Sequence, residues 1–145
     1  MKKPIIKKSI KIRASSEAVW KTLTQSDNIK EWTNAFMPGS YMEGIIAKDE
    51  EVSFKDSFQN GLQGVITECD PGKRLKIEYH TSLTAGVPNA DDTKDWNGCY
   101  DLFVIKGRGG TTTLMIETMA PEKFVDTFPE LWDKSLLKMK EIAER

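Results

Sequence analysis

The chain has 145 residues, 39% of them hydrophobic and 30% charged, which suits one globular domain able to bury roughly two thirds of its extended surface. Lysines and arginines number 21 against 22 acidic residues, a formal charge of -1. That balance excludes the basic footprint of a nucleic-acid binder, and no apolar run approaches a membrane span.

Residues 5–13 alternate as a strand does, with Ile6, Ile10 and Ile12 toward a core and Lys7, Ser9, Lys11 and Arg13 toward water. The basic cluster of Lys2, Lys3, Lys7, Lys8 and Lys11 is read as a solvated strand face. Ala14-Ser15-Ser16 breaks the strand, and either serine hydroxyl can accept from the free amides of a helix over 16–24 that carries Val19, Trp20 and Leu23. Ser26 can cap a second short helix with Ile29, Trp32 and Phe36 at helical spacing, ended by Pro38-Gly39.

Residues 40–119 read as strands and turns. Strands are expected over 41–48, 51–57 and 61–69, followed by the Asp70-Pro71-Gly72 turn. The strand over 74–81 places Leu75, Ile77 and Tyr79 opposite Lys76, Glu78 and His80. Its expected partner, 98–106, is apolar on both faces, and Tyr100, Leu102 and Val104 are assigned to the inner one. Residues 86–92 read as a long polar loop. Gly107-Arg108-Gly109-Gly110 closes a hairpin into a strand over 111–119; it lacks the spacing of a phosphate loop.

Pro121 suits the first turn of a closing helix, but Pro129 would remove a hydrogen bond from that helix's interior. Either a kink near 127–129 is expected, or a short helix over 121–127 followed by the main helix from Pro129. Phe128, Leu131, Trp132, Leu136, Met139 and Ile142 form the stripe this helix lays against a sheet. The fold class that follows is α+β: a curved antiparallel sheet with two short helices and a long C-terminal helix, as one domain over 1–145.

Several words of the sequence carry a family resemblance. They are Ile10-Lys11-Ile12, then Ala14-Ser15-Ser16-Glu17-Ala18-Val19-Trp20-Lys21-Thr22-Leu23-Thr24, and Ile29-Lys30-Glu31-Trp32. Pro71-Gly72-Lys73-Arg74-Leu75, Gly109 to Leu114, and Trp132 with Leu136 continue the pattern. Together they resemble the START/Bet v 1-like (SRPBCC, helix-grip) superfamily, and within it the family homologous to the activator of the heat-shock protein 90 ATPase. The resemblance implies a helix-grip fold. It also implies a cavity between sheet and helix of the kind that holds apolar molecules in sterol and lipid carriers, hormone receptors and polyketide cyclases. A chaperone partner and a role in stress response are its second implication, and a cyclase-like or hydrolase-like enzyme is the third.

The candidate ligand-binding residues are Trp20, Trp32, Phe36, Tyr41, Phe54, Tyr79, Trp96, Tyr100, Leu102, Phe128, Trp132 and Leu136. Tyr79 and Tyr100 stand out because a hydroxyl pointing inward needs a polar partner, and Trp96 because it borders the long loop. No catalytic set is read. The single histidine, His80, falls on the outer face by parity, and acidic residues such as Asp101 are assigned to solvent. Cys69 and Cys99 are expected to be free thiols, and no metal or cofactor is expected. A cytoplasmic monomer or weak homodimer completes the expectation.

Overall fold

A computed structural model describes residues 3–145. In chain order the elements are β1 (Ile5–Ile12), α1 (Ser16–Thr24), α2 (Ser26–Phe36), β2 (Tyr41–Gly44), β3 (Glu51–Lys55), β4 (Gly61–Asp70), β5 (Arg74–Thr84) and β6 (Val87–Pro88). There follow α3 (Ala90–Trp96), β7 (Tyr100–Arg108), β8 (Thr111–Met119), a 3-10 turn (Glu122–Phe124) and α4 (Phe128–Ala143). The strands make one antiparallel sheet in the order β1-β8-β7-β5-β4-β3-β2, with β6 added beside β5. This is the expected α+β architecture.

Alternation decides which face is covered. Ile6 and Ile12 of β1, Leu114 and Ile116 of β8, Phe103 and Ile105 of β7, and Leu75, Ile77 and Tyr79 of β5 are buried. Against them lie Phe128, Trp132, Leu136, Met139 and Ile142 of α4, with Val19, Leu23, Ile29 and Trp32 of the short helices at the side. Two buried polar groups tie the helices together through hydrogen bonds. The Trp32 indole donates to the Thr22 carbonyl at 3.0 Å, and the Ser135 hydroxyl donates to the Trp32 carbonyl at 3.0 Å, tying α4 to α2.

Caps and breaks differ in detail from the sequence reading. Ser15 caps α1, accepting from the Ala18 amide at 3.1 Å, but Gln25 and not Ser26 occupies the cap of α2, without a side-chain bond. The chain over 121–127 forms only a 3-10 turn, and α4 starts at Phe128 with Pro129 in its first turn, where a missing amide hydrogen is harmless. Residues 90–96 are helical, so the loop expected over 86–92 ends at Asn89. Asn89 accepts from the Asp92 amide at 3.1 Å and so caps α3, and Asp91 and Asp92 favour its N-terminus.

Of the basic cluster, Lys2 lies outside the described residues. Lys7 reaches Glu117 at 3.5 Å and Lys8 reaches Asp133 of α4 at 3.1 Å, while Lys3 donates to the Asn97 carbonyl at 2.6 Å. The cluster thus pins β1 to its neighbours at a partly solvated edge. Cys69 and Cys99 are both free.

The β4–β5 ladder shifts register between Gln63 and Gly64 and again between Ile66 and Glu68. Such bulges bend and twist the sheet. Glycine is needed at the first shift: a Cβ on Gly64 would lie 2.5 Å from the Glu78 carbonyl oxygen and 3.0 Å from the Tyr79 ring. The close approach it permits holds Tyr79 in place on the inner face.

Met139, fully buried under α4, should lose about 2–5 kcal/mol of stability when changed to alanine, whereas Leu137, 62% exposed on the same helix, should change by less than about 0.5 kcal/mol. Urea denaturation of Met139→Ala and Leu137→Ala checks the pair; equal losses would contradict the assigned helix face.

Candidate functional site

The bulged sheet and α4 do not stay in contact along the whole length of the helix. Where they part, beneath the N-terminal turns of α4, lies an inner cavity of about 110 Å³. Its walls are Trp32, Thr33 and Phe36 of α2, Phe54 of β3, Leu62 of β4, Ile77 and Tyr79 of β5, Trp96 of α3, Asp101 and Phe103 of β7, Phe128 and Trp132 of α4, and Ser40.

The aromatic walls brace one another. Phe36 meets Trp132 edge-on at 4.9 Å between ring centres and Phe128 at 5.4 Å. Tyr79 stands edge-on to Trp96 at 6.2 Å and to Phe54 at 6.5 Å, and Phe124 stacks on Phe128 at 4.6 Å. These separations lie in the favourable range for aromatic pairs. Beside the cavity is a more open vestibule of about 350 Å³, which shares Phe36, Ser40, Phe54, Leu62, Trp96 and Phe128 with it and adds Met37, Lys55, Asp56, Asn60, Ser82, Asp92 and Phe124. The shared walls mark the route between solvent and interior. On its rim Asp92 accepts from the Ser82 hydroxyl at 2.5 Å and pairs with Lys123 at 3.1 Å, which ties α3 to β5 and to the 3-10 turn and holds the Asp92 carboxyl below its ordinary pKa, the Ser82 bond first.

The cavity has one polar end. Tyr79 donates its hydroxyl to Asp101 Oδ2 at 2.6 Å, and Thr118 donates to Asp101 Oδ1 at 2.9 Å. The carboxyl is shielded from water, which pushes its pKa up to about 6 despite the two hydroxyl bonds that favour the anion. The Tyr79 hydroxyl is pushed well above its ordinary value, first by burial and then by the neighbouring Asp101. Trp132 supplies a further polar atom to this wall: its indole N–H is buried without an acceptor among the described residues.

Of the twelve residues expected to surround a ligand, Trp32, Phe36, Phe54, Tyr79, Trp96, Phe128 and Trp132 converge on the inner cavity. Leu136 is buried further along α4, and Trp20 is half-buried on α1, packed on the core away from the cavity. Tyr41 lies by a separate surface hollow with Met42 and Ile29, its hydroxyl accepting from Gln59 at 2.6 Å.

Tyr100 and Leu102 are on the wrong side of the sheet. Phe103 and Ile105 take the inner face of β7, so its even-numbered neighbours point outward opposite Glu78 and Lys76. There Tyr100 donates to Glu117 at 2.6 Å, and the Lys76 ammonium sits 4.6 Å from its ring. The same parity turns Asp101 inward, against its assignment to solvent. With aromatic and aliphatic residues on both faces, only a charge distinguished them, and the charge proved to face inward.

His80 faces outward as parity required, its ring nitrogens 2.8 Å from Thr81 and 2.8 Å from Glu51. Among the described residues no group of three His, Cys, Asp or Glu side chains is placed to hold a metal ion. No described helix is long and apolar enough to cross a membrane.

The model of the Activator of Hsp90 ATPase homolog 1-like protein family matches residues 13–144. Among solved structures, the Aha1 dimer from Colwellia psychrerythraea is similar at 19% identity, with a TM-score of 0.76 over 97% of this chain and 96% of that one. Protein BH1534 from Bacillus halodurans is similar at 16% identity and TM-score 0.70, covering 99% of this chain and 100% of that one. CalU16 from Micromonospora echinospora is similar at 16% identity and TM-score 0.66, covering 98% and 85%. At these identities the likeness speaks to the fold. No curated protein sequence matches the chain.

The raised pKa of Asp101 has a stability consequence. Between its ordinary value of 3.8 and about 6, the folded chain keeps a proton the unfolded chain has lost. The resulting stabilisation is complete below the lower value and is lost as pH rises through the upper one, on the order of 2–3 kcal/mol for a shift of this size. Relative to Asp101→Asn, the unmodified protein should therefore weaken by that amount between pH about 4 and about 7. Parallel denaturation curves for the two proteins across that interval would refute a buried Asp101 carboxyl.

Proposed function

The chain belongs to the activator of Hsp90 ATPase homolog 1-like family, and from that premise we propose that it is a protein-interaction domain for an ATP-driven chaperone of the Hsp90 type. The observation carrying this reading is a family match that runs from the end of the first strand to the last helix, and so takes in the whole grip of sheet and helix. A partner also needs an exposed surface. Phe58, 77% exposed, sits on the turn after β3, and Val87, 64% exposed, opens β6 just past the adjoining turn after β5. The two turns are joined: the Gly86 amide donates to the Gln59 carbonyl at 2.9 Å, and the Ala85 amide to Asn60 Oδ1 at 2.9 Å. Exposed apolar side chains on linked turns offer a small hydrophobic contact of the kind interfaces use. The dimeric state of the Colwellia psychrerythraea relative supports a weak homodimer, and a chaperone-facing role fits the cytoplasm.

The inner cavity supports a second reading, enclosure of a small hydrophobic ligand. Eight aromatic side chains in its wall supply apolar area, and the Tyr79–Asp101 pair supplies orientation. The two readings are compatible, since the vestibule and the linked turns both involve the stretch around Asn60.

Added to a purified Hsp90-type chaperone, the protein should raise the chaperone's ATPase rate and be retained by it at moderate salt. Phe58→Ser combined with Val87→Ser should weaken retention by roughly tenfold or more while leaving the melting temperature nearly unchanged. No retention and no change in ATPase rate would sink the chaperone reading.

A further inference from the structure

The polar end of the inner cavity has a charge that nothing balances. Asp101 takes one hydroxyl hydrogen bond on each oxygen, from Tyr79 and Thr118, and among the described residues no lysine, arginine or histidine pairs with it. An ionised carboxyl in an apolar enclosure is costly unless a cation compensates it. It is also not saturated. A carboxylate offers about four lone-pair sites, and the two hydroxyls fill about half of them.

The surroundings suit a cation from outside. Tyr79, Phe54, Trp96 and Phe128 line the same small space, and aromatic faces attract ammonium groups most strongly where water is excluded. An anionic ligand would meet Asp101 as a like charge. A wholly apolar ligand would fill the space and leave the carboxylate unpaired.

We propose that the inner cavity binds a small organic cation, an amine whose ammonium group donates to the Asp101 carboxylate while its apolar body lies among Tyr79, Trp96, Phe54 and Phe128. This names the ligand class for the cavity-binding reading and rests on it. Size limits the class. The inner space of about 110 Å³ holds the ammonium and a short linker or one small ring, and a longer body extends into the vestibule of about 350 Å³. Entry is not opposed by charge. In the vestibule Asp92 is paired with Lys123 at 3.1 Å and Lys55 with Glu43 at 3.0 Å, which leaves the Asp56 carboxylate beside two neutralised pairs. The Tyr79 and Thr118 hydroxyls act as positioning groups, fixing the carboxylate plane so that its free lone pairs meet the incoming N–H.

The test compares three probes of one shape: phenethylamine, 2-phenylethanol and 3-phenylpropionate, titrated calorimetrically into the intact protein near neutral pH. The amine should bind at least about tenfold more tightly than the alcohol, and the acid should not bind. In Asp101→Asn the amine's advantage over the alcohol should vanish. Indole N–H signals of Trp96 and Trp132 should move on binding, and that of Trp20, away from the cavity, should not. Because the unmodified protein alone already compares amine with alcohol, the outcome does not depend on the variant folding. Equal affinity for amine and alcohol overturns the cation proposal and leaves the cavity reading standing. Absence of binding by all three probes, or shifts confined to Trp20, overturns both.

Discussion

The whole structure depends on the fit between a bulged sheet and one long helix. The bulges at Gly64 and Ile66 curve β4 and β5, while α4 is one unbroken helix from Phe128 to Ala143. Along the C-terminal part of α4 the two surfaces meet, and Leu136, Met139 and Ile142 are buried against the sheet and the short helices. At its N-terminal part they separate, and Phe128 and Trp132 span the gap with Phe36, Trp96 and Tyr79. Large rings can bridge such a gap without closing it, which is how a well-packed core and a cavity coexist in one small domain.

Two tyrosine–acid pairs on opposite faces of one strand show how strongly burial governs the chemistry. Inside, Tyr79 donates to Asp101 at 2.6 Å and the acid's pKa rises to about 6, because desolvation outweighs the hydrogen bonds. Outside, Tyr100 donates to Glu117 at the same 2.6 Å and that acid's pKa falls, with the hydrogen bond as the leading cause and Lys7 and Lys76 assisting. The hydrogen bonds are alike; their settings are not. The exterior pair is a local fastening of β7 to β8, whereas the interior pair holds a carboxyl with no charged partner among the described residues.

Much of this was legible in the sequence, and the failures have identifiable physical causes. Strand alternation located β1 and β5, and the stripe from Phe128 to Ile142 located α4, because each buries one face only. Pro129 also behaved as its chemistry requires, falling in the first turn of α4. Strand β7 was misread because Tyr100, Leu102 and Val104 are as apolar as Phe103 and Ile105, so periodicity could not choose a face. A one-residue error in parity moved Tyr100 into the site and Asp101 out of it. Helix α3 was hidden by its polar composition, although Asn89 with Asp91 and Asp92 shortly after it is a helix-start signal.

The central claim is that Asp101 sits as a shielded carboxyl at the head of an aromatic cavity, and carbon-detected nuclear magnetic resonance of its side chain tests it most directly. The carboxyl resonance should titrate with a midpoint near 6, and the Tyr79 ring signals should shift in step with it. A midpoint near the ordinary value of 3.8, with Tyr79 indifferent to it, would mean that water reaches the carboxyl freely and would contradict the account.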